Sequence, residues 1–203
     1  MLCIENSLFL FLVSYLLGSF SFAIVLSKFF NLPDPRSYGS HSAGATNVFR
    51  ASKYIAFFTL IGDISKAYFV MRIPHLNHVY LDFPVCPYDF SILLLGVILG
   101  HIFSVFNSFH GGKGVACLIG ATFAIDSLSA TIGLALMALI IVITRYSFLS
   151  TLSGLILMAV ILAIRLPISP LIGSYICALV LIISRHRSNI IRFLNGNENK
   201  LRF

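Results

Sequence analysis

Charged side chains are scarce in this sequence: only 10% of its 203 residues are Asp, Glu, Lys or Arg, whereas 58% are hydrophobic. A soluble domain of this length has too little interior to bury so much apolar surface, which excludes an ordinary soluble fold. The mean hydropathy of +0.96 indicates a chain that uses a lipid bilayer as its solvent.

Acidic residues are scarcer than basic ones, with 7 Asp and Glu against 14 Lys and Arg, so the net charge is +7. No basic patch interleaved with aromatic residues accompanies this excess, and we therefore expect no nucleic-acid partner. Basic residues on the cytoplasmic side of a membrane, facing anionic lipid headgroups, explain the charge instead.

The four cysteines lack metal-ligand spacing, so we expect no metal site and no cofactor. Cys117 and Cys177 lie in apolar runs, where a thiol behaves as a small hydrophobic group. Cys3 and Cys86 fall on one predicted side of the membrane, and a disulfide between them is one of two alternatives there, free thiols being the other. The first apolar run lacks a basic flank and a cleavage site, which favours a retained span over a signal peptide.

Long apolar runs dominate what the sequence does contain, and seven of them are long or apolar enough to be membrane segments. They cover residues 7–27, 54–73, 90–108, 114–125, 128–146, 148–165 and 169–184. The fourth run is the shortest, and a short helix and a re-entrant segment are both open for it. We therefore predict an all-α polytopic membrane protein with about seven transmembrane helices.

The distribution of basic residues predicts the orientation of these helices. An N-terminus outside the cytoplasm leaves only Arg72 and Arg165 among the external cations. The cytoplasmic set is then Lys28, Arg36, Arg50, Lys53, Lys113, Arg145, Arg185, Arg187, Arg192, Lys200 and Arg202. This bias follows the positive-inside rule and requires an odd number of spans. The polar stretches 31–53, 107–114 and 185–203 then all lie on the cytoplasmic face, with the C-terminus.

The first polar stretch contains small residues, hydroxyls and one arginine, in the order 36-RSYGSHSAGATNVFR-50. Glycines expose backbone N–H groups that bind anions, and Ser40, Ser42, Thr46 and Asn47 add side-chain donors. Arg50 supplies the planar guanidinium that matches a phosphate. The alternative is a solvated loop in which Arg50 is only a cytoplasmic charge.

The second stretch, 109-FHGGKGVAC-117, surrounds one cation with glycines. Gly111, Gly112 and Gly114 allow a ligand to approach the backbone, Lys113 supplies a charge, and the helix that follows directs its N-terminus at the same place. The stretch is not a Walker A loop, because Asn107 stands where that motif requires Gly and Gly114 stands where it requires Ser or Thr. A glycine-rich connection with no ligand is the alternative.

Three further features complete the candidate site. His101 lies inside an apolar run, where hydrogen-bonded structure and substrate binding are the alternatives. Asp63 and Lys66 share one helix face, which favours a structural ion pair over direct catalysis. The third stretch, 185-RHRSNIIRFLNGNE-198, has apolar residues at helical spacing and reads as a helix along the membrane surface that ends at Asn195 and Gly196.

Three segments together resemble the bacterial acyl-phosphate:glycerol-3-phosphate acyltransferase family, also called PlsY. Its motifs GSGNxGATNxxR, GHxxPxFxxFxGGKGVAT and RHxxNIxRxxxGxE correspond to 39-GSHSAGATNVFR-50, 100-GHIFSVFNSFHGGKGVAC-117 and 185-RHRSNIIRFLNGNE-198. The resemblance runs nearly end to end and implies one integral membrane acyltransferase domain over residues 1–203. Four positions depart from the family pattern: His41 and Ser42 replace Gly-Asn, Ser104 replaces Pro, and Cys117 replaces Thr.

The resemblance implies a reaction in which acyl phosphate donates its acyl chain to the 1-hydroxyl of sn-glycerol 3-phosphate. The products are lysophosphatidic acid and phosphate, in the first acylation step of bacterial phospholipid biosynthesis. The expected location is the bacterial inner membrane, with the active site on the cytoplasmic face. The expected partners are the two substrates, membrane lipids and the enzyme that makes the acyl phosphate.

The resemblance also assigns roles to residues of this chain. Ser40, Arg50, Lys113 and His186 are the expected catalytic residues; Thr46, Asn47, His101, Gly111, Gly112, Gly114 and Asn189 are expected to bind substrate; and Asp63, Lys66 and Glu198 are expected to be structural. Either His186 or a substrate phosphate is the base for the attacking hydroxyl. We expect direct transfer, because no Ser or Cys has an evident base beside it.

A transporter or channel for an anionic solute is the alternative from a different class. A transport path needs polar residues through the whole depth of the membrane, whereas polarity here gathers at one face. A non-catalytic scaffold has little need for three such loops. The His-x4-Asp pattern of the other class of glycerolipid acyltransferase is absent from the sequence.

Overall fold

The computed structural model describes residues 2–81, 86, 88–166 and 169–201, and within the first of these ranges it describes the side chains of residues 7–74. Within these ranges the chain is built from helices, without a β-strand. The α-helices are α1 (Leu2–Ser19), α2 (Phe22–Phe29), α3 (Ala45–Val48), α4 (Lys53–Leu81), α5 (Asp89–Ile102), α6 (Val115–Ile125), α7 (Ser127–Thr144), α8 (Ser147–Arg165), α9 (Pro170–Arg185) and α10 (Arg187–Leu194). Short 3-10 turns cover Pro35–Ser37 and Val105–Asn107.

Every predicted apolar run coincides with a helix, and the prediction of an all-α polytopic membrane protein is confirmed. In the described part of the chain five helical segments are long and apolar enough to cross a membrane, and α9 with α10, bent by 51°, makes a sixth if the pair is one span. The fourth run is α6, whose 11 residues extend only about 16 Å, roughly half the hydrocarbon thickness. The number of seven crossings and the orientation stay predictions.

Small residues set how closely the helices pack. A Cβ atom at Gly100 of α5 would lie 2.1 Å from the carbonyl oxygen of Tyr15 in α1. A Cβ atom at Gly154 of α8 would lie 2.7 Å from the carbonyl oxygen of Gly133 in α7. Lipid gives no hydrophobic driving force between helices, so close contact of this kind is what holds a membrane bundle together.

The first span is broken between α1 and α2, and neighbouring elements satisfy the backbone groups exposed there. Lys66 of α4 donates to the carbonyl oxygens of Gly18 and Phe20, at 3.0 and 2.6 Å. The Ser104 hydroxyl donates to the Ser19 carbonyl oxygen at 2.6 Å. An unpaired carbonyl in hydrocarbon is costly, so these bonds make the break tolerable.

The disulfide alternative lies partly outside the described residues. Cys86 is disulfide-bonded, and Cys117 and Cys177 are free thiols. The side chain of Cys3 is not among those described, so its pairing stays a prediction.

Candidate active site

The three polar stretches meet around one cavity of about 110 Å³. The predicted residues that line it are Ser40, Thr46, Asn47, Arg50, Asp63, His101, Lys113, His186, Asn189 and Glu198. The sequence motifs, which lie far apart in the chain, thus form one site at one end of the bundle. Lys66, Gly111, Gly112 and Gly114 lie next to the cavity without lining it.

Asn47 holds the first loop in shape. Its Nδ2 donates to the carbonyl oxygens of Pro35, Tyr38 and Ser42, and its Oδ1 accepts the N–H of Ser40 at 3.1 Å. The side chain is 1% exposed. Its hydrogen-bonding capacity is therefore largely spent on the loop backbone, and substrate binding by Asn47 stays a prediction.

Ser40 and Ser42 present a pair of hydroxyls to the cavity, with their oxygens 3.0 Å apart. The Asn47 side chain sets the backbone position of Ser40. Gly39 makes this turn at a φ of +60°, and a Cβ atom there would lie 2.3 Å from the Asn47 Oδ1. The loop sequence is thus suited to holding small donors at fixed positions around a ligand.

Lys113 reaches across from the glycine stretch to the C-terminal segment. Its Nζ donates to the Asn189 Oδ1 at 2.5 Å, and the Asn189 Nδ2 donates to the Glu198 Oε1 at 2.6 Å. Arg192 pairs with the other Glu198 oxygen at 2.8 Å. Burial lowers the pKa of Lys113 to about 8, with Glu198 opposing this shift and Arg192 and Arg185 adding to it. An anionic ligand would stabilise the charged form.

His186, between α9 and α10, is held as a neutral acceptor. Its Nδ1 lies 2.8 Å from the Ile182 carbonyl oxygen, which can only accept, so Nδ1 carries the hydrogen and Nε2 keeps a free lone pair. Burial, together with the nearby Lys113 charge, lowers the pKa of His186 to about 4, and the hydrogen bond to Ile182 opposes this shift. The ring is therefore uncharged at neutral pH.

The glycine stretch is bonded to the end of α5. The Gly111 N–H donates to the Ile102 carbonyl oxygen at 3.1 Å, and the Gly112 N–H donates to that of His101 at 3.0 Å. Both N–H groups are therefore occupied by backbone partners, and substrate binding by these two glycines stays a prediction. Glycine is needed here for close packing against the end of α5, since a Cβ atom at Gly111 would lie 2.0 Å from the His101 carbonyl oxygen.

Asp63 and Lys66 form the predicted ion pair, with Nζ 2.8 Å from Oδ1 and both side chains buried. The same ammonium lies 3.0 Å from the His101 Nδ1. An ammonium can only donate, so Nδ1 accepts and the ring hydrogen lies on Nε2. That Nε2 packs against Gly112, where a Cβ atom would be 2.2 Å away.

These residues also have the spacing of a metal site, because ligand atoms of Asp63, His101 and Cys117 lie within 4.8 Å of one another. The Lys66 ammonium, however, already contacts the carboxylate and the imidazole lone pair that a metal ion would need. Its positive charge would also repel the ion. The residues present therefore do not fit a metal.

Several cavity residues were missed by the sequence motifs. Ser147 and Thr151 line the cavity from the first turns of α8, and the Ser147 hydroxyl donates to the Thr46 oxygen at 3.4 Å. Asn199 and Leu201 line it from the C-terminal segment. The i, i+4 spacing of the two hydroxyls on an apolar helix was a signal that could have revealed the first pair.

Two cations of the cavity are free of ion pairs. In the described part of the chain, neither Arg50 nor Lys113 has a carboxylate oxygen within 4.0 Å. Both line the cavity beside hydroxyl and amide donors. The fold and the site together define a multi-pass membrane protein with a cavity lined by cations, hydroxyls and amides at one end of its helix bundle.

Comparison with known proteins gives the family of this chain. Residues 8–196 match the family model described as glycerol-3-phosphate acyltransferase. The chain therefore belongs to the glycerol-3-phosphate acyltransferase family, which confirms the family predicted from the three motifs.

Curated relatives match over almost the whole length. The glycerol-3-phosphate acyltransferase of Cupriavidus metallidurans is 40% identical over 191 residues, which cover 93% of each chain. The protein of that name from Methylobacillus flagellatus is 41% identical over 198 residues, which cover 96% of each chain.

Two solved structures share the fold. They are crystal structures of PlsY (YgiH), an integral membrane glycerol 3-phosphate acyltransferase, in a glycerol 3-phosphate form and a lysophosphatidic acid form. Each is 32% identical to this chain and covers 97% of it, with TM-scores of 0.87 and 0.85. In both, 96% of the solved chain is matched.

Proposed function

We propose that this protein transfers a fatty acyl group from acyl phosphate to the 1-hydroxyl of sn-glycerol 3-phosphate, giving lysophosphatidic acid and phosphate. The observation that carries the proposal is the cavity in which Arg50 and Lys113, neither of which has an ion pair within the described residues, face hydroxyl and amide donors. Both substrates carry phosphate, and the acyl chain belongs in the bilayer. A cavity for anions at the end of an apolar bundle suits such a pair, and the relatives' names support the acceptor.

The reaction requires positioning more than activation, because an acyl phosphate is a mixed anhydride. The acceptor hydroxyl attacks the acyl carbon, the bond from that carbon to the phosphate oxygen breaks, and an ester bond forms. Ser40, Arg50 and Lys113 hold phosphate and stabilise its charge, with Asn189 orienting Lys113. These groups are fixed before the substrates arrive, which is how an enzyme site lowers a barrier of this kind.

His186 orients the attacking hydroxyl in this proposal. Its free Nε2 accepts a hydrogen bond from the hydroxyl, because Nδ1 is committed to Ile182. A pKa of about 4 makes the ring a weak base at neutral pH, so the proton ends on the leaving phosphate. Transfer is direct, with no acyl-enzyme intermediate.

The location and partners belong to the same proposal. The chain lies in the bacterial inner membrane as one domain, with the cavity on the cytoplasmic face. Positive-inside charge bias supports this orientation. The enzyme that makes acyl phosphate is the proposed protein partner, because its product is reactive and partitions into the membrane.

The donor is tested with purified protein in detergent. Acyl phosphate with glycerol 3-phosphate is expected to release inorganic phosphate and form acylated product in equal amounts. Acyl-CoA and acyl carrier protein thioesters are the comparison donors. Turnover with a thioester and none with acyl phosphate would refute the proposal that acyl phosphate is the donor.

The anion site is tested with Arg50→Ala and Lys113→Ala. Each removes a charge that contacts phosphate in the transition state, and each is expected to lower kcat/KM by about 100-fold or more. Lys28→Ala is the matched control, because Lys28 is an exposed cation at the end of α2 that does not line the cavity. Wild-type rates in both cavity variants would refute the assignment, provided that the elution profile in detergent is unchanged.

A further inference from the structure

The residues after α10 return to the site. We call Asn197–Leu201 the C-terminal strap. The Asn197 N–H donates to the Arg192 carbonyl oxygen at 2.7 Å, and Glu198 binds the side chains of Arg192 and Asn189.

The far end of the strap reaches the connection between α7 and α8. The Leu201 N–H donates to the Arg145 carbonyl oxygen at 2.8 Å. The Lys200 ammonium lies 5.4 Å from the centre of the Tyr146 ring, within cation–π range. The strap is thus fixed at both ends and forms one wall of the cavity.

A second cavity, called here the outer cavity, is also lined by the strap. Its volume is about 550 Å³, five times that of the inner cavity, and it is lined by Phe49, Arg50, Lys53 and strap residues 198–201. The Lys53 ammonium is held 5.6 Å from the Phe49 ring centre. Its cations are Arg50, Lys53 and Lys200, and its one acidic residue, Glu198, is already neutralised by Arg192.

Arg50 lines both cavities. A guanidinium in this position is within reach of an anion on either side, and its fork can bind two phosphate oxygens at once. The inner cavity has its own donors in Ser40, Lys113 and Asn189. The outer cavity has two further lysines, whose compact charges suit a phosphate group without fixing its orientation.

We propose that Arg50, Lys53 and Lys200 form an outer binding site for a phosphate monoester, occupied by the phosphate of the acyl donor before transfer. The inference rests on the proposed function, in which two phosphate-bearing substrates meet. Glycerol phosphate occupies the inner cavity, and the donor's phosphate lies beyond Arg50 with its chain toward the bilayer. The strap supplies Lys200, so it is part of the donor site.

The double variant Lys53→Gln/Lys200→Gln tests the site. Loss of two phosphate-facing charges is expected to raise KM for acyl phosphate by about tenfold, with kcat and KM for glycerol 3-phosphate unchanged. Inhibition by inorganic phosphate that competes with acyl phosphate should weaken by the same factor. Lys53→Arg/Lys200→Arg keeps both charges and is expected to retain the wild-type KM.

The matched control is Lys28→Gln/Arg187→Gln, which removes two exposed cations that line neither cavity. It has the same net charge as the test variant and is expected to keep the wild-type KM. An unchanged KM for acyl phosphate in Lys53→Gln/Lys200→Gln would overturn the proposal. An equal rise of KM in the control would also overturn it, because the effect would then be one of net charge.

Two further outcomes separate the source of the phosphate and the underlying function. The ratio of the KM for acyl phosphate of Lys53→Gln/Lys200→Gln to that of the wild type is measured in zwitterionic detergent and in vesicles that contain phosphatidylglycerol. An equal ratio supports a donor site, whereas an effect seen only in anionic vesicles means that the lysines bind lipid headgroups and refutes it. If the wild-type protein is inert with acyl phosphate but active with a thioester, the proposed donor is refuted. If the wild-type protein is active with acyl phosphate and the variants are unaffected, only the outer site is refuted.

Discussion

Asn47 shows how much of the site depends on one side chain. Its amide joins Pro35, Tyr38, Ser40 and Ser42, and it is almost fully buried. Asparagine suits this position because its amide both donates and accepts, whereas a carboxylate would face three carbonyl oxygens without hydrogens to share. The residue was predicted as a ligand contact, and its structural contacts organise the donors around it.

Two departures from the family pattern are accommodated in this loop. His41 adopts a φ of +51°, a left-handed conformation that favours the glycine of the family motif, and its Nδ1 lies 3.1 Å from the Arg36 carbonyl oxygen. Ser42 provides a hydroxyl beside that of Ser40. Both replacements are therefore compatible with a polar turn at this position.

The pKa of Lys113 predicts how the activity changes at alkaline pH. Its lowered pKa means that its charge is present below about pH 8 and is lost as the pH rises through that value. If the charged form binds phosphate, kcat/KM for glycerol 3-phosphate should fall above about pH 8. Lys113→Arg should move that fall to much higher pH, because a guanidinium does not lose its proton in this range.

Lys28→Arg controls for that measurement, because it makes the same exchange at an exposed position outside the cavity. It should keep the wild-type profile. A fall at the same pH in Lys113→Arg would mean that another group, or the donor's own hydrolysis, sets the alkaline limit.

At the scale of elements, the interruption between α1 and α2 is tied to the rest of the molecule by buried polar contacts. Lys66 and Ser104 satisfy its carbonyl oxygens, and Lys66 also contacts Asp63 and His101. His101 in turn packs against Gly112. The broken span is thus connected to the glycine stretch, which places a structural ion pair in contact with the wall of the site.

Helix packing at glycine supplies a stability prediction. Gly100→Ala places a methyl group against the α1 backbone, so α1 and α5 must move apart, at a cost of about 1–3 kcal/mol. The thermal unfolding temperature in detergent should fall. Gly173→Ala in α9 is the control, because a Cβ atom there would meet nothing within 4 Å. The unfolding temperature of this variant should not fall. Equal temperatures for the two variants would contradict close packing at Gly100.

At the scale of the whole molecule, polarity is concentrated at one end of an otherwise apolar bundle. The cavity, the glycine stretch and the strap share that end. Arg165 and Asp126, both predicted on the external side, pair with each other at 2.9 Å. This arrangement favours a reaction at one membrane surface over a path through the membrane.

The predicted orientation can be measured by labelling. His110 is exposed beside the glycine stretch, so His110→Cys should react with a membrane-impermeant thiol reagent in inverted vesicles only. The wild-type chain is the control for native cysteines, of which Cys117 is buried and Cys86 is disulfide-bonded. Labelling of His110→Cys in right-side-out vesicles would reverse the orientation and move the site to the external face.

The sequence by itself determined where the helices lie and which residues can bind or react with a ligand. Apolar runs of span length can be recognised locally, because each residue's transfer into lipid depends on its own side chain. The motif positions also included Arg50, Lys113 and several of the donors of the inner cavity. Local patterns of this kind were sufficient for the fold class and for the family.

Only the tertiary structure decided what those residues contact. Lys113 binds Asn189, Lys66 caps carbonyls in the first span, and Leu201 returns to Arg145. These partners are 46 to 76 residues apart, and such contacts depend on how helices cross and where loops turn. Periodicity along the chain carries no information about those crossings, so the occupied glycine N–H groups and the strap became visible only when the helices were packed.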